Sequence, residues 1–134
     1  MIQSFSYNSI EKLKSKKQLD ALFKNSKTFT VFPIKLFYAL QEQQDNSIKT
    51  GVGVSSRNFK KAVQRNRVKR LLREAYRLEK EPLHTYLNSN KKQLALFLLF
   101  IDKELPQYDT LKAKMKLCIQ RLIKDLHEVD IKNT

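Results

Sequence analysis

A run of cations with a helical repeat constrains this chain more than any other feature of its sequence. From Arg57 to Arg73 there are eight lysines and arginines and no carboxylate. On a helix turning about 100° per residue from Arg65, one arc between about 220° and 340° is apolar and holds Val68, Leu71, Leu72, Ala75 and Leu78. The arc between about 0° and 140° is polar and holds Arg65, Asn66, Lys69, Arg70, Arg73 and Arg77. We therefore predict a helix over 58–80, ended by Pro82, that buries one side and exposes a row of positive charge.

The remaining periodicities predict five shorter elements around this helix. Alternating polarity predicts two strands before it, an unbroken apolar run predicts a buried central strand after it, and amphipathic stretches predict a first and a last helix. These elements are a helix capped at Ser9 or Ser15 and ending at Lys24, strands at 32–40, 48–55 and 94–101, and a helix at 109–128. Residues 25–30 are predicted as a turn, and residues 81–92 as a polar connection with one helical turn.

The order α-β-β-α-β-α is typical of a single-domain α+β sandwich. We expect this domain to span residues 1–134, with flexible ends at 1–10 and 129–134. A chain of this length can bury a core without disulfides.

The net charge limits the partners that such a domain can have. The chain carries a net charge of +14 from 27 basic and 13 acidic residues. A folded domain with this imbalance repels itself, so we expect a polyanionic partner, with nucleic acid as the first candidate and an anionic membrane surface as the second. No apolar run is long enough to cross a bilayer. The single cysteine, Cys118, excludes an intrachain disulfide and fits a buried, inert thiol, so we predict a cytoplasmic protein.

Side chains suited to catalysis are sparse. His84 and His127 are the only histidines, and a pair with Cys118 has no third group in an obvious place to orient it. The Cys and His spacings of a metal site and the loop of a phosphate-binding motif are absent from the sequence. We predict neither a catalytic residue nor a metal held by the protein. A stand-alone nuclease that uses one of the histidines remains an alternative.

Cations on an exposed helix usually form a solvated surface. Between Arg57 and Arg73, however, the carboxylates four residues away that would neutralise them are missing. Arginine also presents a planar fork that matches phosphate. The pattern therefore favours nucleic-acid binding, although Asn66 can instead make a structural hydrogen bond near the helix start.

Aromatic residues on the first predicted strand suggest a second contact with nucleic acid. Phe37 and Tyr38 are adjacent, so they point to opposite faces of the sheet. A core position is the ordinary explanation, but a face left open by the helices would offer stacking to unpaired bases. On the next strand, Gly51 and Gly53 leave one face smooth, which predicts the close approach of another backbone or a ligand.

The sequence from Arg65 to Glu74, RNRVKRLLRE, resembles the signature of the protein subunits of bacterial ribonuclease P. The similarity continues in Gly51 to Ser55, in Ala62-Val63, in Phe37-Tyr38 and in the first predicted helix, from Leu13 to Lys24. Where the family usually has Ser-Lys-Lys after the glycine strand, this chain differs.

The resemblance implies a fold like domain 2 of ribosomal protein S5, with a left-handed βαβ crossover. It implies that an RNA catalyst, with Mg²⁺ bound mainly by that RNA, removes the 5′ leader from precursor tRNA, and that the protein binds both the catalytic RNA and the leader. The expected partners are these two RNAs, with no membrane and no DNA, and the protein is expected to be monomeric without RNA. The alternative is a general RNA-binding or ribosome-associated module with no role in cleavage.

The charge pattern and the resemblance together assign two sets of residues. RNA binding is assigned to Arg57, Lys60, Lys61, Arg65, Asn66, Arg67, Lys69, Arg70 and Arg73. A cleft for the leader is assigned to Lys14, Phe23, Phe37 and Tyr38.

Overall fold

The computed structural model describes residues 26–41, 48–55, 57–90 and 93–132. Across these ranges the chain forms four strands and three helices. In chain order they are β1 (Lys27–Val31), β2 (Ile34–Gln41), β3 (Ile48–Val54), α1 (Ala62–Glu79), α2 (Glu81–Asn90), β4 (Gln93–Phe100) and α3 (Tyr108–Lys132). The helix predicted to end at Lys24 lies outside the described residues.

The strands form one sheet in the order β1-β2-β4-β3. β2 pairs antiparallel with both β1 and β4, whereas β3 and β4 are parallel neighbours. Two parallel neighbours need a crossover connection, and here it runs through α1 and α2. The unbroken apolar run predicted as a central strand is β4, which lies inside the sheet and is buried along most of its length.

All three helices pack on one face of the sheet, around a common hydrophobic core. β2 contributes Ile34, Leu36 and Tyr38 to this core, as its alternation predicts. From the helices come Val68, Leu72, Ala75, Tyr76, Leu83, Leu87, Leu111, Met115, Cys118, Ile119, Leu122 and Leu126. Each fully buried leucine stabilises the fold by about 1.5–3 kcal/mol relative to an exposed one. The predicted α+β sandwich is confirmed.

The prediction of a turn at 25–30 is wrong, because residues Lys27–Val31 form the edge strand β1. Thr28 and Thr30 are exposed on one face of the strand, while Phe29 on the other face is buried at 7% exposure and Lys27, at the strand end, is exposed. With one buried side chain among polar neighbours, the segment has the composition of a turn. Pairing with β2 makes it a strand.

The connection after α1 is also more regular than predicted. Residues Glu81–Asn90 form a ten-residue helix, α2, rather than a single turn. Leu83 and Leu87, one helical turn apart, are both fully buried. Pro82 lies in the first turn of α2, where a missing N–H costs nothing, and the break from α1 falls at Lys80. The predicted end of the basic helix ahead of Pro82 is thus confirmed to within one residue, and Pro82 itself belongs to the next helix.

Helix ends differ from the predicted bounds by a few residues. α1 begins at Ala62 rather than at 58, because the preceding residues form a loop. α3 continues past the predicted end at 128 as far as Lys132.

Candidate nucleic-acid interface

The apolar side of α1 fixes the helix on the sheet. Val68, Leu72 and Ala75 are fully buried, in agreement with the predicted apolar arc. Tyr76 is buried on the same side, and its hydroxyl accepts a hydrogen bond of 3.1 Å from the Thr50 hydroxyl on β3. A buried hydroxyl pair of this kind satisfies both polar groups, so it fixes the position of α1 as well as stabilising it.

The loop between β3 and α1 is held by a set of local hydrogen bonds. The Ser55 carbonyl accepts from the N–H groups of Asn58 and Phe59, at 3.1 and 3.2 Å. The Asn58 side-chain amide donates to the carbonyls of Ile101 and Asp102, at 3.3 Å each, and so ties the loop to the end of β4. Phe59 is buried in the core beside Phe100, with 6.1 Å between ring centroids. These contacts of Asn58 and Phe59 therefore hold the loop in one conformation at the start of α1.

Arg65 has a structural role at the start of α1. Its Nη1 donates to the carbonyls of Phe59 and Lys60, at 2.8 Å each. Within the described residues, the side chain that ties the helix start to the loop is thus Arg65, while Asn66 is exposed. Because a guanidinium carries five N–H donors, Arg65 keeps donors for an anion.

The other predicted cations surround the first half of α1 and the loop before it. Arg67 and Arg70 are exposed on the helix, Lys69 and Arg73 are partly exposed, and Arg57, Lys60 and Lys61 are exposed on the loop. We call these seven side chains and Arg65 the basic surface. Within the described part of the chain, none of the eight forms a salt bridge.

The helix end adds to the charge of the basic surface. Lys61, the N-cap residue, makes no side-chain capping bond, and the first turn contains no acidic residue. The positive end of the helix dipole is therefore not offset by a local carboxylate. A carboxylate appears only further along, where Glu74 forms a salt bridge with Arg77.

The sheet face opposite the helices carries a smaller apolar cluster. Ala95 and Phe97 are buried there, with Phe37, Ala39 and Leu99 packed against them. The rings of Phe37 and Phe97 are 6.4 Å apart, and the Lys35 ammonium lies 5.3 Å from the centroid of Phe37. We call this surface the second face.

Gly53 is explained by packing on the second face. A Cβ atom at this position would lie 2.6 Å from Cζ of Phe97, well inside van der Waals contact. The sequence predicted that a backbone or a ligand approaches the glycines, and the group that approaches Gly53 is an aromatic ring of the neighbouring strand. No local sequence signal identifies Phe97 as that group, because the contact depends on strand order.

Tyr38 lies on the helix-covered face instead. It is 5% exposed, and its ring meets Phe29 edge-on at 6.2 Å between centroids. Burial, followed by the nearby Asp125 carboxylate, raises the pKa of its hydroxyl. Of the two described aromatic residues assigned to the leader cleft, Phe37 and Tyr38, Phe37 alone lies on the second face. Lys14 and Phe23 lie outside the described residues.

Groups with catalytic chemistry are not gathered at either surface. Cys118 is buried, as predicted, and burial raises the pKa of its thiol to about 12, so it stays protonated at neutral pH. His84 is half-buried on α2, and His127 is exposed on α3. Over the described ranges, no three His, Cys, Asp or Glu side chains lie together as metal ligands would, and no helix is long and apolar enough to cross a membrane.

Comparison with known proteins decides the family. The sequence model of the Ribonuclease P family matches residues 8–123. The chain belongs to the ribonuclease P protein family. A ribonuclease P protein component of Porphyromonas gingivalis is 30% identical over 131 residues, which are 97% of this chain and 96% of that protein. One from Chlorobium phaeobacteroides is 30% identical over 122 residues, covering 81% of this chain and 84% of its own.

A solved structure shows the same fold. A Staphylococcus aureus RNase P protein mutant with defective mRNA degradation activity superposes with a TM-score of 0.61 at 14% identity, over 85% of this chain and 88% of that chain. Ribonuclease P is an endoribonuclease, and its protein component is a subunit that takes part in processing the 5′ end of tRNA. The predicted function is confirmed, and a general RNA-binding module outside cleavage is not favoured.

Proposed function

We propose that this member of the ribonuclease P protein family binds two RNAs on two surfaces. The basic surface binds the phosphate backbone of the catalytic RNA. The second face holds the single-stranded 5′ leader of precursor tRNA. We also propose that the protein acts in the cytoplasm. Without RNA it is a monomer, because a net charge of +14 makes copies of the chain repel one another.

Unpaired charge supports the first half of this proposal. The eight cations of the basic surface have no salt-bridge partner among the described residues, and the start of α1 adds the positive end of its dipole. In water alone, such charges repel one another. Phosphates along an RNA backbone neutralise them and release counterions on binding. Arg67 and Arg70 are both exposed, and a guanidinium can donate two parallel hydrogen bonds to a phosphate.

The second face supports the other half. Phe37 is partly exposed there, beside the side chains of Phe97 and Lys35. An aromatic ring next to an ammonium group can stack on an unpaired base and hold the adjoining phosphate. Tyr38 is left out of this proposal, because its ring is part of the core between the sheet and α3.

Mg²⁺ enters the proposal through the RNA. Phosphate oxygens are the hard ligands that Mg²⁺ prefers, and the catalytic RNA supplies them in number. Bound to the RNA, the metal would supply the chemistry that activates a water and stabilises a leaving oxygen. The protein side chains bind, position and neutralise charge, and with Cys118 buried and protonated, none of those described here is assigned a role as nucleophile.

A reconstitution experiment tests the proposal. Bacterial ribonuclease P RNA is incubated with precursor tRNA at low Mg²⁺, with and without the protein. We expect the protein to enhance cleavage, and the double substitution Arg67→Ala with Arg70→Ala to remove most of the enhancement. Full enhancement by the double variant would refute the role of the basic surface. Cleavage by the protein without RNA would favour a nuclease that uses His84 or His127.

A further inference from the structure

A second row of cations lies on α3, away from the basic surface. From Thr110 to Lys124 the sequence contains five lysines and arginines and no carboxylate. Lys112, Lys116, Gln120 and Lys124 follow one another at intervals of four residues, so they form one ridge along the helix. The ridge is about 18 Å long at 1.5 Å per residue. We call these four residues the outer ridge.

The packing of α3 directs the outer ridge toward solvent. Leu111, Met115, Leu122 and Leu126 are buried on the opposite side of the helix. Lys116, Gln120 and Lys124 are exposed, and Lys112 is partly exposed. Leu117, beside the ridge, is 48% exposed, so the surface includes an apolar contact.

The carboxylate that follows the ridge is engaged elsewhere. The Tyr38 hydroxyl donates a hydrogen bond to the Asp125 carboxylate, in the contact between α3 and the sheet. Arg121 is engaged there too, with its guanidinium carbon 4.5 Å from the centroid of the Phe29 ring. Asp109 precedes the ridge and Glu128 follows it, so acidic residues on this helix lie at the ends of the cationic stretch.

We propose that the outer ridge binds the sugar–phosphate backbone of the catalytic RNA, at a place separate from the one bound by the basic surface. None of the three ridge lysines forms a salt bridge with another described residue, although Glu128 lies one turn beyond Lys124. A row of ammonium groups on one helix is complementary to a line of phosphates. Lysine acts there as a point charge and does not need a particular base, so we expect contact with the backbone. Since α3 covers one face of the sheet and Phe37 lies on the other, RNA is bound on both sides of the sheet.

This inference rests on the proposed RNA-binding function, but its test uses different residues. The full chain is titrated with ribonuclease P RNA at several salt concentrations. We expect Lys116→Gln with Lys124→Gln to flatten the dependence of log Kd on log salt by about 1.5, at about 0.7–0.9 per lost phosphate contact. Lys116→Arg with Lys124→Arg keeps the charge and retains the slope of the unaltered protein.

The matched control removes two exposed lysines from other elements. Lys27→Gln with Lys103→Gln causes the same loss of charge on β1 and on the loop after β4. If the ridge variant flattens the slope no more than this control, the inference is overturned. It is also overturned if the ridge variant keeps its slope for RNA but loses binding to vesicles that contain phosphatidylserine, because the ridge would then be a membrane contact.

A parallel titration separates the two surfaces. Arg67→Gln with Arg70→Gln alters the basic surface alone. A flatter slope in the ridge variant with no change in the arginine variant would refute the proposed function of the basic surface and leave the ridge supported. The reverse result would refute the ridge and leave the basic surface supported.

Discussion

The basic surface and the second face offer an RNA different kinds of interaction. The exposed surface around α1 is rich in guanidinium and ammonium ions, whereas the second face presents mainly aromatic and apolar side chains, with the Lys35 ammonium beside Phe37. Binding to the first should weaken steeply as salt rises, because counterions compete for phosphate. Binding to the second should weaken less, because a base that stacks on Phe37 releases no counterions, even though Lys35 adds a phosphate contact. We therefore expect the basic surface to supply affinity for the RNA backbone and the second face to contact unpaired bases.

Both surfaces depend on the core between them, and the largest expected effect tests that dependence. Leu72→Ala, at a fully buried position of α1, should lower the free energy of unfolding by about 2–5 kcal/mol, because it leaves a cavity. Val63→Ala, at a position 79% exposed on the same helix, should change it by less than about 0.5 kcal/mol. Equal effects in urea titrations would contradict the placement of α1.

The shape of the second face can be changed at Gly53. Gly53→Ala should destabilise the protein by about 1–3 kcal/mol, because the added methyl group meets the Phe97 ring. In a Phe97→Leu background the same substitution should cost clearly less. A cost that is unchanged in that background, measured in a double-mutant cycle, would show that the ring does not require the glycine.

The faces of β2 can be compared directly. Phe37→Ala should weaken binding of a precursor tRNA with a leader by about 1–3 kcal/mol per stacked base, and leave the salt slope unchanged. Tyr38→Phe keeps the buried ring, removes a hydroxyl that lies against Asp125, and should leave leader affinity as it is. Filter-binding constants with and without the leader measure both. Loss of leader affinity in the Tyr38 variant alone would reverse the assignment of the two residues.

An effect that is absent at neutral pH and appears only in alkali concerns the thiol of Cys118, which is buried on α3. The pKa of Cys118 is raised from 9.0 to about 12, so above pH 9 the unfolded chain loses this proton before the folded one does. The thiol therefore contributes stability that is lost as pH rises between about 9 and 12, at up to about 1.4 kcal/mol per pH unit. Cys118→Ala should remove this part of the pH dependence. If the free energy of unfolding of the unaltered protein and of the Cys118→Ala variant changed with pH in the same way, the prediction would be contradicted.

The main elements were predictable because their patterns are long and local. The cation run and the apolar arc of α1 repeat over several turns, and the apolar run of β4 is unbroken. β1 was missed because it buries mainly Phe29 and becomes a strand by pairing with β2. The helical residues Glu81–Asn90 were underestimated because Pro82 resembles a stop signal when the break at Lys80 is unknown.

For the candidate site, the position of the cations was predictable from the sequence, but the sheet face on which each aromatic side chain lies was not. Density of cations in the sequence is enough to locate the basic surface. Whether Phe37 or Tyr38 remains accessible depends on which sheet face the helices cover, which is a property of distant residues such as Leu122. The bonds from Arg65 to the carbonyls of Phe59 and Lys60 likewise require the fold of the loop.

A salt titration with ribonuclease P RNA tests the central claim most directly. The unaltered protein, the Arg67→Ala, Arg70→Ala variant and the Phe37→Ala variant are compared for the slope of log Kd against log salt. We predict that the slope of the arginine variant flattens by about 1.5, at about 0.7–0.9 for each lost phosphate contact, while the slope of the Phe37 variant equals that of the unaltered protein. An unchanged slope in the arginine variant would show that the basic surface does not meet phosphate.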